Sequence, residues 1–211
     1  MAPPDPHHAP SPKAVRRRIL RAAGLLGLII ASSGCASVAH HLRTVDEGQF
    51  YRSAQMPGDR LQKVIRHRGI RTVINLRGAN PDEQWYQEER AACDALAVAH
   101  FDLDWTMRRL PEPDSLARFV ALVEQADRPI LVHCQGGTHR AGVASAAYVL
   151  IAGGDVDAAR EEFGPFFNDA PIGRVLDLYE GSRLPFPEWV RTEYPALYAG
   201  PCGESDAPGP E

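Results

Sequence analysis

Apolar residues recur along this chain in two different periods, and the two alternate. Thr72-Val73-Ile74-Asn75-Leu76 and Ile130-Leu131-Val132 are short β-branched runs, the pattern of buried strands, and Phe50–Ser53 and Phe101–Trp105 read as extended. Between them the spacing turns helical. Leu61, Val64 and Ile65 mark a helix over Asp59–Arg68 that Gly69 ends. Asn80 as N-cap and Pro81 as first residue predict a second helix, reaching about Leu96. Asp114 caps a third through Ala126, with Leu116, Phe119, Val120 and Val123 on one face. A fourth starts near Arg140 and runs to Ile151, and shorter helical pieces follow around 156–163 and 172–179. Strands separated by helices predict an α/β fold: a central, mostly parallel sheet of about four to five strands flanked by helices. In such sheets ligands bind beyond the carboxyl ends of the strands, so chemistry is sought there.

The ends of the chain read differently. A basic stretch (Arg16-Arg17-Arg18, Arg21) precedes an apolar run from Ala22 to Ala31 and then Ser32-Ser33-Gly34-Cys35, the order of a secretory signal. Small residues before Cys35 resemble a lipobox, with Ser32 departing from the usual Leu, Val or Ile. Extended to Ala39, the run is a marginal single span. The expectation is therefore an exported, periplasmic or envelope-anchored protein, as a lipoprotein at Cys35 or through a single-pass anchor. Residues 1–44 form the lead and anchor, 45–199 the domain, and 200–211 a Pro/Gly/Glu-rich disordered tail.

Charge narrows the partners. The chain carries a formal −4, but its first 34 residues hold five basic side chains against Asp5 alone, so the remainder carries about −8. Such a body lacks the cationic surface that nucleic acid requires. Cys35, Cys93, Cys134 and Cys202 form no CxxC pair, which excludes a zinc ribbon or disulfide framework. The pairs His7-His8 and His40-His41 fall in the lead and are set aside as metal ligands.

The distinctive segment follows the last strand: His133-Cys134-Gln135-Gly136-Gly137-Thr138-His139-Arg140-Ala141-Gly142, then a helix. A tight loop between a strand end and a helix start can turn its backbone N–H groups inward and, with the positive helix terminus, bind an anion. Gly136 and Gly137 allow the close approach such a cradle needs. A cysteine at its base sits where a thiolate is favoured, and Arg140 can offer a planar fork to two phosphate oxygens.

This loop resembles the His-Cys-x5-Arg signature of the cysteine-dependent tyrosine and dual-specificity phosphatases. Phe50-Tyr51-Arg52-Ser53-Ala54-Gln55-Met56-Pro57 and Gly69-Ile70-Arg71-Thr72-Val73-Ile74-Asn75-Leu76-Arg77 resemble the opening of the atypical subgroup found in bacteria, fungi and plants. The resemblance implies that Cys134 is the nucleophile, forming a phosphocysteine, and that Arg140 binds the phosphoryl group. Gln135, Gly136, Gly137, Thr138 and His139 would cradle its oxygens, and His133 would tune the thiol from behind. It implies no metal and no cofactor, and a phosphorylated protein or a small phosphorylated molecule such as an inositol phosphate as substrate; the chain is expected to act as a monomer. Two features depart from the pattern. Residue 141 is Ala where the family has Ser or Thr, whose hydroxyl helps the sulfur leave, and Thr138 is the nearest substitute. The general acid has four candidates, Asp102, Asp104, Glu112 and Asp114, of which Asp104 lies nearest the carboxyl end of its strand. Arg77 also follows a strand and is a candidate for the substrate rim, with Arg52, Arg108 and Arg109 of the same kind; Trp85, Tyr86 and Phe119 read as core. Two rival functions remain, a rhodanese-type sulfurtransferase and a non-catalytic phosphate-binding protein. A nucleotide-binding P-loop is excluded because no Gly-x4-Gly-Lys occurs in a chain with two lysines.

Overall fold

The computed structural model describes residues 42–198. Five strands form one sheet in the order β1-β2-β5-β3-β4: β1 Arg43–Asp46, β2 Phe50–Ala54, β3 Thr72–Asn75, β4 Ala99–Asp102 and β5 Ile130–Cys134. Only the β1–β2 pair is antiparallel; β2–β5, β5–β3 and β3–β4 are parallel. Helices α1 (Gly58–Arg68), α2 (Gln84–Asp94), α3 (Pro113–Gln125) and α4 (His139–Ile151) flank it. The mostly parallel α/β architecture expected from the alternating periods is the one observed.

Strand alternation divides the core in two. Phe50, Ile74, Ile130, Val132 and Cys134 join the cluster that holds Leu116, Phe119, Val120 and Val123 of α3 and the apolar face of α4. Their neighbours Tyr51, Val73 and Leu131 face the other way, against Leu61, Val64 and Ile65 of α1 and Ala92 and Cys93 of α2. Both faces of the sheet are thus covered, as parallel strands require. The same alternation has a chemical consequence: His133 and Cys134, adjacent in β5, project to opposite faces.

Several element boundaries differ from the sequence reading, each for a local reason. β1 begins at Arg43, inside the stretch read as lead, and pairs with β2 through Arg43 and Arg52. β4 ends at Asp102 rather than reaching Trp105, because the chain turns off the sheet to make a single antiparallel bridge between Asp104 and Arg77. α2 starts at Gln84, not Asn80. The Asn80 amide instead donates to the carbonyls of Arg77 (3.1 Å) and Gly78 (2.8 Å), bracing the loop after β3. Glu112, not Asp114, occupies the N-cap position of α3, and Asp114 lies within its first turn.

The helical pieces beyond α4 become α5 (Val156–Arg160) with a 3-10 turn at Glu161–Phe163, and a 3-10 turn at Pro171–Gly173 leading into α6 (Arg174–Glu180). Two further helices, α7 (Phe186–Thr192) and α8 (Tyr194–Tyr198), were not anticipated, since prolines 185, 187 and 195 interrupt their spacing. Their Phe186, Trp189, Val190 and Tyr194 are nonetheless wholly buried. Among the described residues no helix is long and apolar enough to cross a membrane. The basic stretch, the apolar run, Cys35, both histidine pairs and the tail with Cys202 lie outside the described residues.

Candidate active site

Cys134 is the last residue of β5 and only 3% exposed. The chain then makes a tight loop and enters α4 at His139. Gly137 is what allows the loop to close. It has φ +69°, and a Cβ there would stand 2.6 Å from the Ala54 backbone nitrogen. A hydrogen bond from the Gln55 N–H to the Gln135 carbonyl (3.2 Å) ties the loop to the end of β2. Gly136 differs, since a Cβ there would meet open space. Thr138, ahead of α4, makes no side-chain cap hydrogen bond to the first-turn N–H groups.

The result is a cavity of about 390 Å³ lined by Met107, Cys134, Gln135, Gly136, Thr138, His139 and Arg140. Every loop residue singled out in the sequence contributes except Gly137, which is buried behind it. Arg140 reaches back from the first turn of α4, donating through NH1 to the carbonyls of Leu76 (3.3 Å) and Trp105 (3.2 Å). Those two bonds occupy one end of the guanidinium and leave Nε and the other amino group for a ligand. Met107 carries no signal in the sequence; it lines the cavity because the loop after β4 folds over it, held by a hydrogen bond from the Ile172 N–H to the Met107 carbonyl.

The four acid candidates separate. Asp102 is committed elsewhere, accepting from Asn75 Nδ2 (2.8 Å) and the Tyr86 hydroxyl (2.7 Å). That bond, after burial, pushes the Tyr86 phenol up to about 12. Glu112 pairs with Arg109 at 3.5 Å. Asp104 is exposed and lines a neighbouring cavity of about 480 Å³ together with Gly78, Asp102 and Asp114. None of the four lines the Cys134 cavity itself. Asp104 is the nearest in chain, one residue before the Trp105 carbonyl that receives Arg140.

The arginine candidates separate too. Arg77 donates through NH1 to Gln55 Oε1 (3.2 Å), and its guanidinium lies 3.6 Å over the ring of Trp85. Burial and the charge of Arg140 hold its pKa below the ordinary arginine value, with Glu89 and Cys134 acting the other way. Trp85, read as core, is therefore half-buried and serves as a platform for Arg77. Arg52 is not a rim residue. It is 3% exposed and ion-paired with Glu162 at 3.3 Å, and burial first, then Arg43, pushes its pKa down to about 10. Arg108 is exposed and does not line the cavity.

One buried group was missed. Glu89 of α2 is 1% exposed and sits directly behind His133, whose Nε2 lies 3.0 Å from Glu89 Oε1. His100 Nε2 approaches the same oxygen at 2.8 Å, and Gln55 Nε2 donates to Oε2 at 2.6 Å. Burial opposes the charge, but the charge on His133 and the bonds from His100, His133 and Gln55 outweigh it and hold the carboxyl well below the usual range. A signal existed in the sequence. Glu89 falls three residues after Tyr86 and four before Cys93, on the apolar face of its helix, where a carboxylate needs buried partners.

Comparison with known proteins supplies the family. Residues 30–164 match the family described as a DSP-PTPase phosphatase fused to NAD+ kinase. The chain belongs to this phosphatase family. No curated protein matches its sequence significantly. Among solved structures, TpbA of P. aeruginosa is 22% identical, with 75% of this chain and 92% of that one covered at a TM-score of 0.52. A mutant form of Tk-PTP is 15% identical over 72% and 95% of the two chains, at 0.54. The catalytic core of Siw14, a protein of S. cerevisiae, is 18% identical over 65% and 83%, at 0.51. These likenesses are of fold. The family match supports a cysteine-dependent phosphatase and lends nothing to the sulfurtransferase or non-catalytic readings.

Proposed function

We propose that this phosphatase hydrolyses phosphomonoesters through a phosphocysteine on Cys134, without a metal ion. The observation that carries the reading is the cavity at the carboxyl end of β5, which Cys134, residues of the loop after it and Arg140 line together at the start of α4. The Cys134 sulfur attacks phosphorus and the ester oxygen leaves with a proton from Asp104. Water, giving a proton to the Asp104 carboxylate, then attacks the phosphocysteine, phosphate departs and the sulfur is restored. Arg140 and the N–H groups of Gln135 to His139 stabilise the charge on the equatorial oxygens in both steps. Arg77 holds an outer anionic part of the substrate.

Ala141 is wholly buried on the first turn of α4 and supplies no hydroxyl to the departing sulfur. The second step is therefore the slow one, and a burst of alcohol release stoichiometric with enzyme is expected. Hydrolysis of p-nitrophenyl phosphate in the presence of EDTA, blocked by vanadate and absent in Cys134→Ser, tests the reading. A Cys134→Ser variant as active as the parent would end it.

The substrate is a phosphoprotein or an inositol (poly)phosphate. TpbA has been crystallised with phosphotyrosine and Siw14 is described as a PP-IP phosphatase, so these are the two compounds to assay first. The basic stretch and apolar run ahead of the domain support export and attachment to the envelope, with Cys35 as the lipidated residue. Membrane fractionation of the parent and of Cys35→Ala separates lipidation from a retained anchor. The domain acts as a monomer in this reading, which sedimentation at working concentration checks.

A further inference from the structure

The buried carboxylate of Glu89 has no part in the steps above, yet it touches both halves of the site. Alternation in β5 sends His133 away from the cavity and toward α2, where its Nε2 meets Glu89 Oε1. An ionised carboxylate only accepts, so both His133 and His100 carry hydrogen on Nε2. His100 then receives Arg90 NH1 on its Nδ1 at 3.3 Å, while the buried Nδ1 of His133 has no hydrogen-bond partner among the described residues. Among the described residues, Glu89 is therefore the one hydrogen-bond partner of the ring behind Cys134.

The second arm runs through Gln55. Its amide has an acceptor-only group at one end and a donor-only group at the other, which fixes its orientation. Nε2 must donate to Glu89 Oε2, leaving Oε1 to accept from Arg77 NH1. If an amide replaced the carboxylate at 89, its NH2 would face Gln55 Nε2, donor against donor. Turning Gln55 over would cure that clash only by presenting an NH2 group to Arg77. The charge on Glu89 thus sets the polarity of a relay that ends at the substrate rim.

We propose that Glu89 is a positioning residue of the phosphatase site, one buried carboxylate that fixes the nucleophile's strand through His133 and Arg77 through Gln55. The proposal rests on the phosphatase reading above and adds to it a coupling between nucleophile and rim. It predicts that Glu89→Gln loses about tenfold to a hundredfold in kcat/KM, in kcat and KM together. The acid limb of its pH–rate profile moves, which simple loss of packing would not cause. Gln55→Met, which keeps the volume and removes the relay, raises KM several-fold at unchanged kcat. In an Arg77→Ala background that KM effect disappears.

The experiment is steady-state kinetics across pH for these variants with a phosphotyrosine peptide rich in acidic residues, which offers Arg77 an outer anion, beside the pH dependence of Cys134 alkylation by iodoacetamide. Wild-type kcat, KM and pH profile in a folded Glu89→Gln would overturn the proposal. So would Gln55→Met and Arg77→Ala effects that simply multiply, a result that decides the matter even if Glu89→Gln does not fold. An inactive parent enzyme would instead count against the phosphatase reading. The alkylation profile still reads the Glu89 coupling in that case, since identical profiles for parent and Glu89→Gln would overturn it without turnover.

Discussion

Cys93 and Cys134 are the same side chain in two environments on opposite faces of one sheet. Both are nearly inaccessible, at 0% and 3% exposure. Cys93 ends in the apolar cluster between α1, α2 and the sheet, where burial, and then the charge of Glu89, pushes its thiol up to about 12. Cys134 closes a strand at the edge of the opposite cluster and opens onto a cavity with Arg140 and a helix start. Burial by itself makes a thiol inert. What distinguishes the second cysteine is the cavity it opens onto, which Arg140 and the start of α4 also line. Glu89 lies on the Cys93 side of the sheet and works against ionisation there, while bracing the histidine beside Cys134.

The largest effect expected from this contrast is in alkylation. Cys93 is wholly buried and its thiol is pushed up to about 12, which keeps it un-ionised at neutral pH. Iodoacetamide should therefore modify Cys134 at least ~10³ times faster in the native protein, as read by peptide mass mapping. Comparable labelling of both would dissolve the distinction. Next, Arg140→Lys keeps a charge but loses the fork, and should lower kcat by about 10²–10³-fold. Retention of more than half the activity would mean that the loop amides suffice alone.

Asp104→Asn should cost about 10²-fold in kcat/KM, which reads the first step, on substrates with poor leaving groups and much less on p-nitrophenyl phosphate, whose alcohol needs no proton. Asp102→Asn, whose carboxyl bonds Asn75 and Tyr86, should act through stability instead, and a reversal of the two would move the acid to Asp102. The smallest effect concerns Glu89 and acid. Its carboxyl is depressed in the folded state, so its contribution is present above pH 4.5 and fades as pH falls below that value. The Tm difference between parent and Glu89→Gln should therefore narrow between pH 5 and 3. A constant difference across that range would argue that the pair is held without charge.

Legibility followed the range of the interactions. The strand–loop–helix around Cys134 could be read because its geometry depends on contiguous residues. β5 stops, Gly137 turns and α4 starts within a few positions. The ends of α2 and α3 were misplaced because good caps were available but used otherwise. Asn80 had a better use bracing two loop carbonyls. Trp85 was read as core because periodicity reports a face, not whether an arginine from another loop will lie on it. α7 and α8 were hidden by prolines that fit first turns and are tolerated there.

The order of residues by itself determined the alternating α/β pattern, the nucleophile, and the arginine six positions after it, since periodicity and a short loop are local properties of a chain. Only the tertiary structure decided which carboxylate stands behind His133, which arginine is spent in a buried pair and which lies over Trp85. Those outcomes depend on which face of which strand meets which helix. Glu89 and His133 are 44 residues apart and touch only because α2 packs on the face of the sheet to which β5 sends His133.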